Sequence, residues 1–166
     1  MKNYIKKIVG KLIKLFFFDN VDIVCRWTLY FENVETGESR FATYDNLVVT
    51  AGKNMIAKRL AGGANDCDIT YIAVGTDATA PDIADTTLGT ELDRNTLTSI
   101  AAAGTAVTVK GFFGAADANG ALEEMGLFGE AASATPDSGT LFNHAAISET
   151  KSSSETLTIS ITITIA

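Results

Sequence analysis

A chain of 166 residues, 46% hydrophobic and 20% charged, is long enough for one domain with a buried core and excludes both a disordered tail and a collagen-like repeat. Thirteen basic residues against twenty acidic give a formal charge of −7, which disfavours a protein that grips a phosphate backbone. Two cysteines and a single histidine exclude a disulfide framework and a zinc site built on several imidazoles.

The charge is divided unevenly along the chain. Residues 1–18 hold five lysines and no acid, so residues 19–166 keep eight basic residues against all twenty acidic ones, a balance of −12. In this leader Ile5, Ile8, Val9, Leu12, Ile13 and Phe16 recur at the helical period, while Lys6, Lys7 and Lys11 fall mostly on the other side. The pattern predicts a basic amphipathic helical arm over 1–18, with a β domain over 19–166. Lys11 and Lys14 interrupt the apolar stretch and no small-residue cleavage site follows, which reads against a secretory signal. No apolar run reaches the roughly 18 residues of a spanning helix. The arm is therefore expected to pack on its own domain or to dock on a protein partner or a second copy. A membrane surface is the least favoured destination.

From residue 21 the pattern turns extended. Val21–Phe31 is rich in β-branched and aromatic residues, and a turn at 32–38 leads to a second strand at Ser39–Asn46, which together predict a hairpin. Thr50 offers a helix cap, Met55, Ile56, Ala57 and Leu60 mark an inner face, and Gly62-Gly63 is the stop. Ile69–Val74 reads as a buried strand and Gly75–Asp85 as a surface loop. One helical turn is expected at Thr86–Leu92, then strands at Arg94–Ile100 and Thr105–Phe113. The Asn119-Gly120 pair predicts a tight hairpin that lays Leu122–Phe128 against the strand before it. A strand at Thr140–Ile147 and a link at Ser148–Ser154 follow. Leu157, Ile159, Ile161, Ile163 and Ile165 then alternate with Thr and Ser over nine residues, the mark of a half-buried strand. Were that strand an edge, it would invite pairing with another chain. The expected fold is mainly β: a jelly-roll-like antiparallel sandwich of about eight strands with one short covering helix.

Residues that carry chemistry are sparse, and no catalytic, cofactor or metal site is assigned. Cys25 and Cys67 suit small core positions better than a bridge between them, which remains the alternative. His144 lies in a predicted strand without a readable triad. Ala51-Gly52-Lys53-Asn54 fails as a phosphate loop, because Ser or Thr must follow the Lys and a Gly should stand where Leu47 is. The acids at 66, 68, 77, 82 and 85 lack calcium-loop spacing and read as solvated loop carboxylates. Glu123 and Glu124 are adjacent on a strand, so they face opposite ways and cannot pair as acid and base. An inward Glu124 needs a buried cation such as Arg94 or Lys110, which makes Glu124 and Arg94 the expected structural pair.

Several short motifs in a fixed order carry a resemblance. They are Thr50-x-Gly52-Lys53-x-x-Ile56-Ala57-x-x-Leu60-x-Gly62, the run Ile69–Thr76, Thr87-x-x-x-Glu91-x-x-Arg94, Glu124-x-Gly126-Leu127-Phe128, Gly139-Thr140-Leu141 and Lys151-x-x-x-x-Thr156-Leu157-x-Ile159. In order and spacing, from Val48 to Ala166, the chain resembles small virion structural proteins of tailed bacteriophages. The resemblance implies a non-enzymatic building block of a tail, baseplate, fibre or head, located in the virion and assembled in the host cytoplasm. It carries over no catalytic residue and no cofactor. Expected partners are other virion proteins and further copies of the chain, joined through the arm and the sheet edges, with no nucleic acid among them. The alternative is an adhesion module whose loops at Gly75–Asp85 and Ser133–Gly139 meet a host-surface receptor.

Overall fold

Alternation at period two puts one face of a strand into a core and leaves the other to water, and five strands on each side of one core follow from that pattern here. The computed structural model describes residues 21–63 and 68–166. The arm at 1–18 and Cys67 lie outside the described residues. Strands β1 (Ile23–Asn33), β2 (Ser39–Asp45), β3 (Leu47–Val48), β4 (Ile69–Gly75), β5 (Glu91–Thr96), β6 (Ser99–Ala103), β7 (Ala106–Phe113), β8 (Gly120–Gly129), β9 (Thr140–Lys151) and β10 (Glu155–Ile165) accompany helix α1 (Thr50–Leu60). One sheet runs β2-β1-β10-β7-β6 and the other β3-β9-β8-β4-β5, with every pairing antiparallel.

Trp27, Leu29 and Phe31 of β1 and Leu157, Ile159 and Ile161 of β10 meet Ile72 and Val74 of β4 and Met125 and Leu127 of β8 in one buried cluster. Each such side chain stabilises the fold by roughly 1.5–3 kcal/mol. Cys25 belongs to the same cluster as a free, buried thiol, and burial raises its pKa, with Asn46 and Asn143 pulling the other way. The alternating Ile strand is central, not an edge: β10 sits between β1 and β7, and the edges are β2 and β6 in one sheet and β3 and β5 in the other.

Several expectations need correction. The sandwich has ten strands, not about eight, and four of its nine strand-to-strand connections are hairpins between sheet neighbours (β1–β2, β4–β5, β6–β7, β8–β9), while four others cross between the sheets. The predicted strand at Arg94–Ile100 divides at Leu97–Thr98, and its halves β5 and β6 belong to different sheets. The Asn119-Gly120 turn likewise changes sheets instead of closing a hairpin. Ala118 and Gly120 both have positive φ, and the turn is pinned by Asp93 accepting from the Ala118 amide and by Lys151 donating to the Asp117 carbonyl and Asn119 Oδ1. Residues 86–90 form no helical turn, and β9 continues through the expected link to Lys151.

Helix α1 is where expected but its face is narrower. Val49 is the cap, and the Thr50 amide donates to the Ile83 carbonyl, so a loop supplies the partner that a capping side chain would. Gly52 and Met55 are buried, whereas Leu60 is 85% exposed. A Cβ at Gly52 would stand 2.0 Å from the Phe142 carbonyl oxygen, so only glycine lets the helix lie this close to β9.

Candidate functional site

A charged side chain taken out of water needs partners for every donor and acceptor it carries. Among the described residues the buried polar or charged side chains are Arg94, Glu124, Asn143, His144 and Lys151, and four of them build three clusters: Glu124 with His144 and Arg94 on the side of the β3-β9-β8-β4-β5 sheet that faces away from the core, and Lys151 at the turn between β7 and β8. The first joins β8 and β9. The β8–β9 register shifts between Leu122 and Glu124, so Leu122 enters the core cluster while Glu124 turns to the loop side. There Glu124 Oε2 accepts from the Gly89 amide at 2.8 Å and Oε1 from the Thr90 amide at 2.7 Å and the Asp77 amide at 3.3 Å. His144 Nε2 lies 3.0 Å from Glu124 Oε2, and its Nδ1 lies 2.7 Å from Asp85 Oδ2. One carboxylate thus holds both ends of the segment 76–90, and one imidazole holds its middle. A Cβ at Gly75 would sit 2.4 Å from Glu124 Oε1, which is why the strand leads into this loop through glycine.

Over this cluster lies a cavity of about 270 Å³, lined by the 77–89 segment together with Glu124 and His144. Asp77 at its mouth is kept below the usual carboxylate range by Thr79, whose hydroxyl and amide both donate to it, with the His144 ring adding to the effect. A general base needs a ring nitrogen free to meet a hydroxyl or a water. In His144 both nitrogens already face carboxylates, Nδ1 that of Asp85 and Nε2 that of Glu124. The arrangement fastens the 76–90 segment to β8 and β9.

The second cluster is centred on Arg94. Its Nε and Nη2 grip both oxygens of Glu91, and the two side chains are 3% and 2% exposed. Nη1 donates to the carbonyls of Ser133 and Ser138 and to Ser138 Oγ, all at 3.0–3.1 Å, and the guanidinium lies 4.6 Å from the Phe128 ring centroid. This corrects the expected pair. Arg94 takes Glu91 and Glu124 takes His144, because β5 skips Leu92 in its register with β4 and so brings residues 91 and 94 to one side. Lys110, the other cation considered for Glu124, is exposed on the opposite sheet. The third cluster is Lys151, whose ammonium meets the Asp117 carbonyl at 2.8 Å and Asn119 Oδ1 at 2.9 Å. Burial lowers its pKa, while Asp117, Glu155 and Asp93 oppose that.

The loops expected to face outward as recognition loops are therefore tied down on the sheet, 76–90 by Glu124 and His144 and 133–139 by Arg94. The roles of His144 and Lys151 were missed by sequence reasoning, and no local signal marks them. Of the proposed docking set, Ile5, Lys6, Lys7, Ile8, Val9, Lys11, Leu12 and Phe16 all lie outside the described residues. Among the described residues no group of three His, Cys, Asp or Glu side chains is placed to hold a metal ion, and no helix is long and apolar enough to cross a membrane. No family model, no curated protein and no solved structure matches this chain.

Proposed function

We propose that this chain is a non-enzymatic β-sandwich building block of a tailed-phage particle, in its tail, baseplate, fibre or head. Its neighbours are other particle proteins and further copies of itself. The observation that carries the reading is the use made of the buried charges: Glu124, His144, Arg94 and Lys151 are all bonded to the protein's own loops, which suits a rigid scaffold. The resemblance of the ordered motifs supplies the particle. The exposed edge β6, with Ile100 and four small residues, and the edge β2 offer unpaired backbone to a neighbour. The basic arm offers a charged contact to an acidic one.

The test is light scattering on a sizing column across concentration and salt. The full chain is expected to form a defined oligomer at low salt, loosened at high salt, and a Lys6→Glu/Lys7→Glu/Lys11→Glu variant is expected to be monomeric. A full chain that stays monomeric at every concentration and salt overturns the reading.

One observation favours the adhesion reading as a second. On the outer face of the β2-β1-β10-β7-β6 sheet, Phe41 pairs with Tyr30, Tyr30 with Thr158 and Thr158 with Phe112. Phe41 is 75% exposed and the other two rings are also open to solvent. Tyr30 and Phe112 stand two strand spacings apart, roughly 10 Å, a row of flat rings of the kind that stacks on sugars. On immobilised host-envelope glycan, a Tyr30→Ala/Phe112→Ala variant is expected to bind at least tenfold more weakly than the full chain. Equal binding, or none by either, removes this reading.

A further inference from the structure

An apolar groove of about 250 Å³ opens at the end of the body where β10 finishes, between α1 and both sheets. Phe142 and Ile163 of the core reach its floor, and Met55 flanks it. Its rim is Leu60, Ile100 and Ile165, which are 85%, 48% and 43% exposed. A core that opens onto water through such a rim is incompletely covered, and burying those side chains stabilises whatever covers them.

The chain itself arrives at this rim. Ile23 pairs with Ile165, and Asp22 and Ala166 exchange backbone hydrogen bonds of 2.8 Å in both directions. Residues preceding 21 are thus delivered beside Ile165. They carry the apolar stripe of Ile5, Ile8, Val9, Leu12 and Phe16, and five lysines set against a body of charge −12. As a helix, residues 4–18 are about 22 Å long, and the two residues that join them to Val21 are a connection of ordinary length. So short a tether gives an effective concentration in the millimolar range, which favours the chain's own segment over any dissolved competitor.

We propose that this groove seats residues 1–18 of the same chain, held by Ile5, Ile8, Val9, Leu12 and Phe16 with Lys7 and Lys11 facing outward. The groove has room for the side chains of one helical stripe, so the helix lies along the rim. Its lysine face stays available to an acidic neighbour. The seat serves a free subunit as well as an assembled one and stands apart from the particle reading.

Cross-linking tests it in the full chain. In a Cys67→Ser background, Leu12→Cys is combined in turn with Leu60→Cys and Ile100→Cys. Lys7→Cys, on the far side of the predicted helix, is the control in each case. Both rim positions are exposed, and Trp27 fluorescence checks that each variant is folded. Under mild oxidation at least one Leu12 pair is expected to form a disulfide within the monomer at least tenfold faster than its control. Equal rates for Leu12 and Lys7, or no cross-link, overturn the seat. A cross-linked dimer overturns it as well, because the arm would then come from a second copy.

Discussion

Replacement of Glu124 by alanine is expected to destabilise the fold by about 3–5 kcal/mol, because it leaves buried donors and a buried imidazole without the carboxylate that binds them. Urea unfolding followed through Trp27, the sole tryptophan and fully buried, gives the number. Three backbone amides and His144 share this one side chain, so the loss extends past a single bond to the whole 76–90 segment. Glu124→Gln keeps the shape but turns an amide towards groups that donate, and is expected to recover only part of the loss. Asp85→Asn touches only the partly exposed end of the chain of bonds and is expected to cost less. A Glu124→Ala variant within 1 kcal/mol of the parent defeats the anchoring role.

Arg94 is the second large case. Arg94→Ala is expected to cost about 3–5 kcal/mol by stranding the Glu91 carboxylate in a dry site. Arg94→Lys is expected to rescue little, since an ammonium cannot grip both Glu91 oxygens and reach the Ser133 and Ser138 carbonyls together. A double-mutant cycle with Glu91→Gln should return a coupling of about 0.5–3 kcal/mol. Full rescue by lysine, or additive effects in the cycle, rules out a bidentate clamp.

What the sequence discloses here is local. The nine-residue alternation in β10, the β1–β2 hairpin and the helix at 50–60 are legible because each depends on near neighbours. Sheet membership is another matter: the Asn119-Gly120 turn has the residues of a hairpin, yet Lys151 and Asp93, distant in sequence, swing it across to the other sheet. The site is hidden for a related reason. Whether Glu124 meets Arg94 or His144 is decided by the shifted registers at Leu122–Glu124 and at Leu92, and a shift of one residue reverses the face of everything beyond it. A purely alternating strand would have put residues 91 and 94 on opposite sides.

The pairing of β1 with β10 also bears on how the molecule is made. Eleven residue pairs join Ile23–Asn33 to Glu155–Ile165, so β1 gains its second sheet neighbour only when β10, far later in the chain, is in place. Until then β1 has only β2 beside it, and an isolated two-stranded ribbon is barely stable in water. Closure of the core thus waits for β10, and the high sequence separation of its contacts points to folding on the slow, millisecond-to-second side of the range for small domains. During that interval Trp27, Leu29 and Phe31 are open to other nascent chains, which makes a chaperone's protection of β1 more valuable than protection of any later strand.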